Sequence, residues 1–244
     1  MTLTVAGLSG FGRSSAALVR DGVLVAGAAE EQFSRRKHDP ALPQRAFRWP
    51  CTRAGIEPGA VDFVAFAEKP VQRFVRILGG LAQGFPFTLR SLPRTLTTWL
   101  GDRLWLKNSL MKSLAVDPNR LLFVERPMVQ SAAAFFTSGF DEAAIVVVDG
   151  VGKWAATMLA KGKGTTIEAV AEIQHPQSLA FLLDAVAHHL LVPETGGLRW
   201  LAPLAAAGEP RLAKAMEEEE IVRPVGSGAY ALNSKSFDLS GGTP

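Results

Sequence analysis

Apolar and polar positions over the first thirty residues fall into short runs separated by turn residues, the signature of strands rather than helices. Thr2–Leu8 reads as a strand that ends in Ser9-Gly10-Phe11-Gly12. Ser15–Arg20 and Val23–Ala29 read as two more, joined by Asp21-Gly22, a pair that tolerates the positive φ of a type I′ hairpin turn. A polar, basic loop is expected over Gln32–Pro43, then a helix over Gln44–Ala54 stopped by Gly55, then a strand over Val61–Ala67. Three antiparallel strands, a helix and a fourth strand form an α/β opening.

Residues 71–115 change character. Seven basic residues (Arg73, Arg76, Arg90, Arg94, Arg103, Lys107 and Lys112) face one acid, Asp102. Leu96, Trp99, Leu100, Leu104, Leu110, Met111 and Leu114 recur at roughly helical spacing, which predicts two or three basic amphipathic helices. Such helices can hold an anionic ligand, lie on a membrane surface or dock a partner. They can equally form an insertion whose basic heads stay in water while their stems cover core.

The α/β pattern then resumes. Strands are expected at Leu121–Glu125, Ala143–Asp149, Trp154–Ala160 and Thr165–Ile173, with Lys161-Gly162-Lys163-Gly164 as a tight turn. Helices are expected at Met128–Thr137, Ser178–Leu191 and Ala213–Glu220. From Arg223 the chain is Gly/Ser-rich and is expected to be irregular. The pattern divides into 1–70 as the first part of a lobe, 71–115 as a basic helical insertion, 116–222 as the remainder of the lobe and 223–244 as a tail. The tail brings no closing element, which suggests an interrupted fold.

Composition narrows the class. Of 244 residues, 48% are hydrophobic and 20% charged, which fits a globular chain and excludes disorder. The single cysteine, Cys51, rules out an internal disulfide and any Cys-rich zinc module, and suits a reducing cytoplasm. The formal charge of +3 is too small to imply nucleic acid. The amino terminus lacks the basic region and long apolar core of a signal peptide. The longest apolar run, Ala143–Val148, is a strand's length and well below the ~20 residues of a spanning helix. A cytoplasmic chain without a membrane span is expected.

Asp149 is the sharpest chemical candidate. A carboxylate at the end of a buried strand, followed by Gly150-Val151-Gly152, lets an acid and backbone amides face one phosphate or metal, although Asp-Gly turns also end many strands without a ligand. Gly150-Val151-Gly152-Lys153-Trp154-Ala155 formally fits a dinucleotide fingerprint, but a hairpin follows it where that motif needs a helix N-terminus. No Walker A segment is present. His188 and His189 are adjacent, so on a helix they point about 100° apart and do not share one ion. His38-Asp39, after Arg35, Arg36 and Lys37, reads as an anion site or a solvated turn, and Glu217–Glu220 as a solvated helix face. No Ser/His/Asp or Cys/His nucleophilic arrangement can be assembled.

Several segments in order resemble one family, the O-carbamoyltransferases of natural-product and nodulation-factor biosynthesis. They are Gly7-Leu8-Ser9-Gly10-Phe11 with Ser14–Leu18, Glu30–Asp39, Glu68-Lys69-Pro70, Ala132–Phe136, Asp149–Gly152 with Trp154, Ser178-Leu179, Gly208-Glu209-Pro210 and Phe237-Asp238. The resemblance runs over nearly the whole chain and implies an α/β fold of the RNase H-like (actin/hexokinase) type, with a mixed sheet and the basic helical insertion. It implies a carboxy-terminal domain that makes carbamoyl-adenylate from carbamoyl phosphate and ATP. An amino-terminal domain then passes the carbamoyl group to a hydroxyl, with an iron-type metal as Lewis acid.

At the reactive positions the chain departs from that pattern. Gly12-Arg13 stands where the family has His-Asp before its serine. Arg126 and Gln130 stand where the family has two histidines four apart on a helix, and Pro127 lies between them. Arg cannot bind a cation and Gln is a poor replacement for imidazole. Thr195–Trp200 and Ala206-Ala207-Gly208 replace two further family stretches. Only Asp149 survives from the implied metal shell, and one carboxylate is insufficient alone. No catalytic residue is assigned; Gly150 and Gly152 are the candidate cofactor contacts, and no cofactor is expected on this chain by itself. The resemblance also implies a second half of the fold and an adenylate-forming domain that the chain lacks.

These departures point to a catalytically degenerate accessory or scaffold subunit, hetero-oligomeric with a full-length carbamoyltransferase or another protein subunit. The rival expectation is active O-carbamoyl transfer completed in trans by a partner chain. A third is a truncated product without a role of its own.

Overall fold

A computed structural model of the chain describes residues 2–10, 13–83, 93, 105–150, 155–190, 198–226 and 228–233. They form two compact units, 1–129 and 130–244.

In the first unit β1 (Thr4–Ser9), β2 (Ser15–Arg20) and β3 (Val23–Ala29) form the expected antiparallel meander, with Asp21 and Gly22 both at positive φ in the turn. A short α1 (Glu30–Ser34) follows, then α2 (Gln44–Ala54) and β4 (Phe63–Phe66), which returns to lie parallel to β1. After α3 (Pro70–Gln83) and α4 (Leu106–Leu114), β5 (Leu121–Phe123) adds parallel to β4. The sheet order is β3-β2-β1-β4-β5 with β2 alone reversed, the RNase H-like arrangement that the resemblance implies.

Register explains the core. Leu18, Ala6, Val64 and Leu121 stand opposite one another across four strands, and Ala16, Leu8, Phe66 and Phe123 form the next row. All but the half-buried Phe123 are buried, under Phe47 and Cys51 of α2 and Leu106, Leu110 and Leu114 of α4. The last three recur every four residues, so one face of α4 is apolar. Lys107 and Lys112 are exposed while those leucines are buried, so this part of the basic segment covers core. Arg90, Arg94, Asp102, Arg103, Leu96, Trp99, Leu100 and Leu104 lie outside the described residues.

Helix α1 replaces part of the loop expected over Gln32–Pro43. Glu30 and Glu31 in its first turn complement the helix dipole, and the Ala29 amide donates to Gln32 Oε1 at 3.3 Å.

The second unit contains most of α5 (Arg126–Ser138), then β6 (Glu142–Val148), β7 (Ala155–Lys163) and β8 (Thr166–Gln174), an antiparallel sheet in the order β6-β7-β8. β7 runs through Lys161-Gly162-Lys163, where a turn is expected from sequence. Lys161 Nζ and Lys163 Nζ reach Glu142 at 2.7 and 3.4 Å, which carries the ladder to its last pair, Glu142 opposite Lys163. Helices α6 (Leu179–His189), α7 (Leu198–Ala207) and α8 (Ala213–Glu218) follow; α7 escapes the periodicity reading because Pro203 interrupts it.

The expectation of an irregular tail fails over its first ten residues. β9 (Val222–Pro224) and β10 (Tyr230–Leu232) pair antiparallel, with Gly226 and Gly228 supplying positive φ between them. Leu232 packs with Leu182 and Ile221, and the Tyr230 hydroxyl lies 2.8 Å from Thr157 Oγ1, so the hairpin is anchored to α6 and β7.

Candidate functional site

Asp149 follows the last residue of β6, and its amide donates to Ala156 O at 2.9 Å, extending the β6–β7 ladder to the turn. Asp149 Oδ1 accepts the Gly150 amide at 2.8 Å. The Ser178 hydroxyl donates to Gly150 O at 2.9 Å and accepts the Phe181 amide at 3.2 Å, so one side chain both caps α6 and holds the Asp149-Gly150 turn. Ser178 is fully buried, as this double role requires. The turn is thereby fixed against the first turn of α6, with the Gly150 amide engaged by the neighbouring carboxylate. Among the described residues, a Cβ on Gly150 would meet Phe181 Cε1 at an ordinary 3.8 Å. Gly152 lies outside the described residues. The sequence signal for Ser178 is a serine directly before an apolar helix.

The conspicuous Glu30–Asp39 block builds a second constellation, in the first unit. Glu30 is buried at the start of α1, and its carboxylate accepts the Ala46 amide at 2.9 Å and the Arg45 amide at 3.4 Å, two otherwise orphan donors of the first turn of α2. Its own amide donates to Ser14 O at 2.8 Å. Glu31 Oε2 accepts the His38 amide at 2.8 Å, and Arg13 Nε donates to His38 Nδ1 at 3.2 Å. A hydrogen bond from Ser34, then one from the Ala41 amide, hold the buried Asp39 carboxyl below its ordinary value. The block, in which His38-Asp39 reads from sequence as an anion site or a solvated turn, thus ties the β1–β2 turn, α1 and the start of α2 together. Glu30→Ala is expected to cost about 1–2 kcal/mol by stripping the cap from α2, with Glu30→Gln recovering most of it, as urea titration of the two variants would measure.

Lys69 Nζ and Glu125 Oε1, 3.1 Å apart, link the segments that leave β4 and β5. Burial, with Glu57 as a lesser cause, pushes the Cys51 thiol up to about 11, so it is an inert core group rather than a nucleophile.

Arg126 and Gln130 are one turn apart on α5, with Pro127 tolerated in the first turn of that helix. Gln130 Oε1 is buried without a hydrogen-bond partner among the described residues. His188 and His189 are exposed at the end of α6. Among the described residues no three His, Cys, Asp or Glu side chains come together as a metal site. A guanidinium cannot ligate a cation and an amide is a weak ligand, so Arg126 and Gln130 are unsuited to hold the implied iron. No helix among the described residues is long and apolar enough to cross a membrane.

The family described as carbamoyltransferase N-terminus matches residues 4–243. An uncharacterized protein of Synechocystis sp. is 37% identical over 236 residues, 94% of this chain and 38% of that protein. The nodulation protein NolNO of Sinorhizobium fredii is 30% identical over 176 residues, 69% of this chain and 24% of that protein. The chain therefore spans well under half the length of these relatives. Among solved structures, YeaZ from Pseudomonas aeruginosa aligns at 16% identity and a TM-score of 0.39, over 72% of this chain and 68% of that one. The PPX-GPPA enzyme of Aquifex aeolicus aligns at 11% identity and 0.31, over 73% of this chain and 54% of that one.

Proposed function

Because the chain belongs to the family of carbamoyltransferase amino-terminal domains, we propose that it is a catalytically degenerate member of natural-product biosynthesis, an accessory lobe that works bound to a full-length O-carbamoyltransferase. The observation that carries this reading is the pair Arg126 and Gln130, set one helical turn apart on an intact α5 where the family pattern calls for two imidazoles. A framework kept while its reactive groups are replaced supports binding without chemistry. Arg13 supports it further. It stands where a family carboxylate is expected, and its Nε donates to His38 Nδ1, so that nitrogen is an acceptor and not a proton donor.

The test is copurification at native expression level, with metal analysis of the eluted complex. The expected result is a full-length carbamoyltransferase in the eluate, with metal in proportion to that partner. Recovery of this chain alone overturns the proposal. One observation favours the rival, carbamoyl transfer completed in trans: Ser178 holds the Asp149-Gly150 turn in a fixed geometry. Asp149→Ala separates the two readings, since the accessory reading expects the complex to keep its transfer rate and the rival expects loss of about a hundredfold or more, as for removal of a positioned transition-state group.

A further inference from the structure

The two units carry opposite charge. Residues 1–129 hold eighteen Lys and Arg against ten Asp and Glu, a formal +8, and residues 130–244 hold eight against thirteen, a formal −5. One exposed cluster in each unit contributes to its surplus.

In the first unit α2 buries Ala46, Phe47, Pro50 and Cys51, which leaves Arg45, Arg48, Trp49 and Arg53 exposed on its outer face. The loop after α1 adds Arg35, Arg36 and Lys37, also exposed. Contacts draw these groups into one surface. Arg45 Nη1 donates to Phe33 O at 3.2 Å, and the Phe33 and Trp49 ring centres are 6.4 Å apart. The Arg53 guanidinium lies 5.7 Å from the Trp49 ring centre, on the attractive face of the indole. Arg36 and Arg45 both lower the Asp39 carboxyl, after its hydrogen bonds, which places them near it. Asp39 is the one acid in residues 35–53, and it is buried. Among the described residues none of the six cations is in an ion pair.

The second unit supplies the complement. Glu217 to Glu220, at the end of α8, are all exposed, and among the described residues only Glu218 is paired, with Lys214 at 3.7 Å. Leu212 and Met216, four residues apart and so on one side of that turn, are 71% and 44% exposed. An apolar pair beside a run of carboxylates matches an indole beside a run of guanidiniums.

We infer that the Arg–Trp face of α2 docks the acidic end of α8 from a second copy of this chain. The carboxylates of Glu217 to Glu220 meet the guanidiniums, and the Met216 thioether meets the Trp49 ring. Charge selects this occupant. Each copy carries both halves of the contact, so copies associate head to tail, the positive unit of one against the negative unit of the next. A nucleic acid strand also complements the face, but the −5 of the second unit repels a long polyanion. The inference does not depend on the accessory reading above.

The experiment measures the mass of the full chain by sedimentation velocity at low and high salt. The expected result is a species above monomer mass at about 20 mM salt that reverts to monomer at about 0.5 M, where screening acts within ~4 Å. Arg48→Glu and Glu217→Lys should each weaken association about tenfold or more, since each sets a like charge against the opposing cluster. An equimolar mixture of the two variants should associate again, because the exchanged charges attract each other across one contact and the other contact is intact. Glu172→Lys, the same change of net charge at an exposed position of β8, should leave association unchanged. All three positions are exposed, so circular dichroism of each variant should match wild type. Monomer mass at low salt overturns the inference. So does association that survives Arg48→Glu, or failure of the mixture to associate when each variant alone has lost it. A single-stranded RNA oligonucleotide that binds the monomeric chain, and is released by Arg48→Glu but not by Glu217→Lys, overturns it in favour of nucleic acid.

Discussion

Phe66→Ala is expected to destabilise the first unit by about 3–5 kcal/mol, the largest effect of any substitution considered. Its ring is fully buried and stands opposite Leu8 in the β1–β4 register. It lies at a tilt to Phe123, ring centres 6.1 Å apart, and a Cβ placed on Gly10 would come within 2.9 Å of Phe66 Cζ. The ring therefore supports both the apolar row and the turn that leaves β1. Truncation to alanine opens a cavity that strands held in a five-stranded ladder cannot close by shifting. Hydrogen exchange at β1 and β4 amides is the readout of choice, since the chain has two units and a single denaturation curve would mix them. Exchange should accelerate in the first unit by the full loss, and Phe66→Leu should show a much smaller change. An alanine variant within 1 kcal/mol of wild type would mean that the row relaxes freely, against the rigidity of packed cores.

The second large effect is expected from a substitution that is ordinarily benign. Gly162 lies in β7 between Ala143 and Ile167, both packed with Phe135, and a Cβ there would fall 2.7 Å from three atoms of the Phe135 ring. The ring lies over the bare backbone of the strand. Gly→Ala usually favours folding by roughly 0.4–1 kcal/mol, because it restricts the unfolded chain. Here the overlap should reverse the sign and cost about 1–3 kcal/mol, because the ring is confined and its contact atoms are at its root as well as its edge. A cycle with Phe135→Leu discriminates the cause. If ring overlap is responsible, Gly162→Ala should cost far less in the Phe135→Leu background, a coupling that independent defects would not produce.

The first unit was legible because its signals were local and did not compete. Asp21-Gly22 fixed a hairpin, Gly55 stopped a helix at the expected residue, and the strand pattern matched the register found. The resemblance supplied the RNase H-like expectation, and the order β3-β2-β1-β4-β5 agrees with it. Other elements depended on interactions that sequence patterning does not carry. α1 is a single short turn stabilised by Gln32 and by its acidic first turn, inside a segment whose composition reads as loop. The Lys161–Lys163 stretch looks like a turn until Glu142 is placed across from it. The β9–β10 hairpin holds through Thr157 and Gln177, whose side chain accepts the Leu232 amide, contacts made at long sequence separation.

The candidate site was legible in part. Asp149 could be singled out from its place after an apolar strand, and the changes at Arg126 and Gln130 from the family pattern alone. The roles of Ser178 and Glu30 depended on three-dimensional partners. Each carries a polar group into a buried position where a helix begins, and only the fold reveals which amides await it.

The position of Cys51 gives the first unit its own reporter. This thiol, the only one in the chain, is 1% exposed on the buried face of α2 and held in its protonated form by burial. A soluble disulfide reagent can reach it only while α2 is lifted from the sheet, so the labelling rate counts those openings. The unmodified chain can thus report opening events in residues 1–129 while the second unit, which has no cysteine, stays silent.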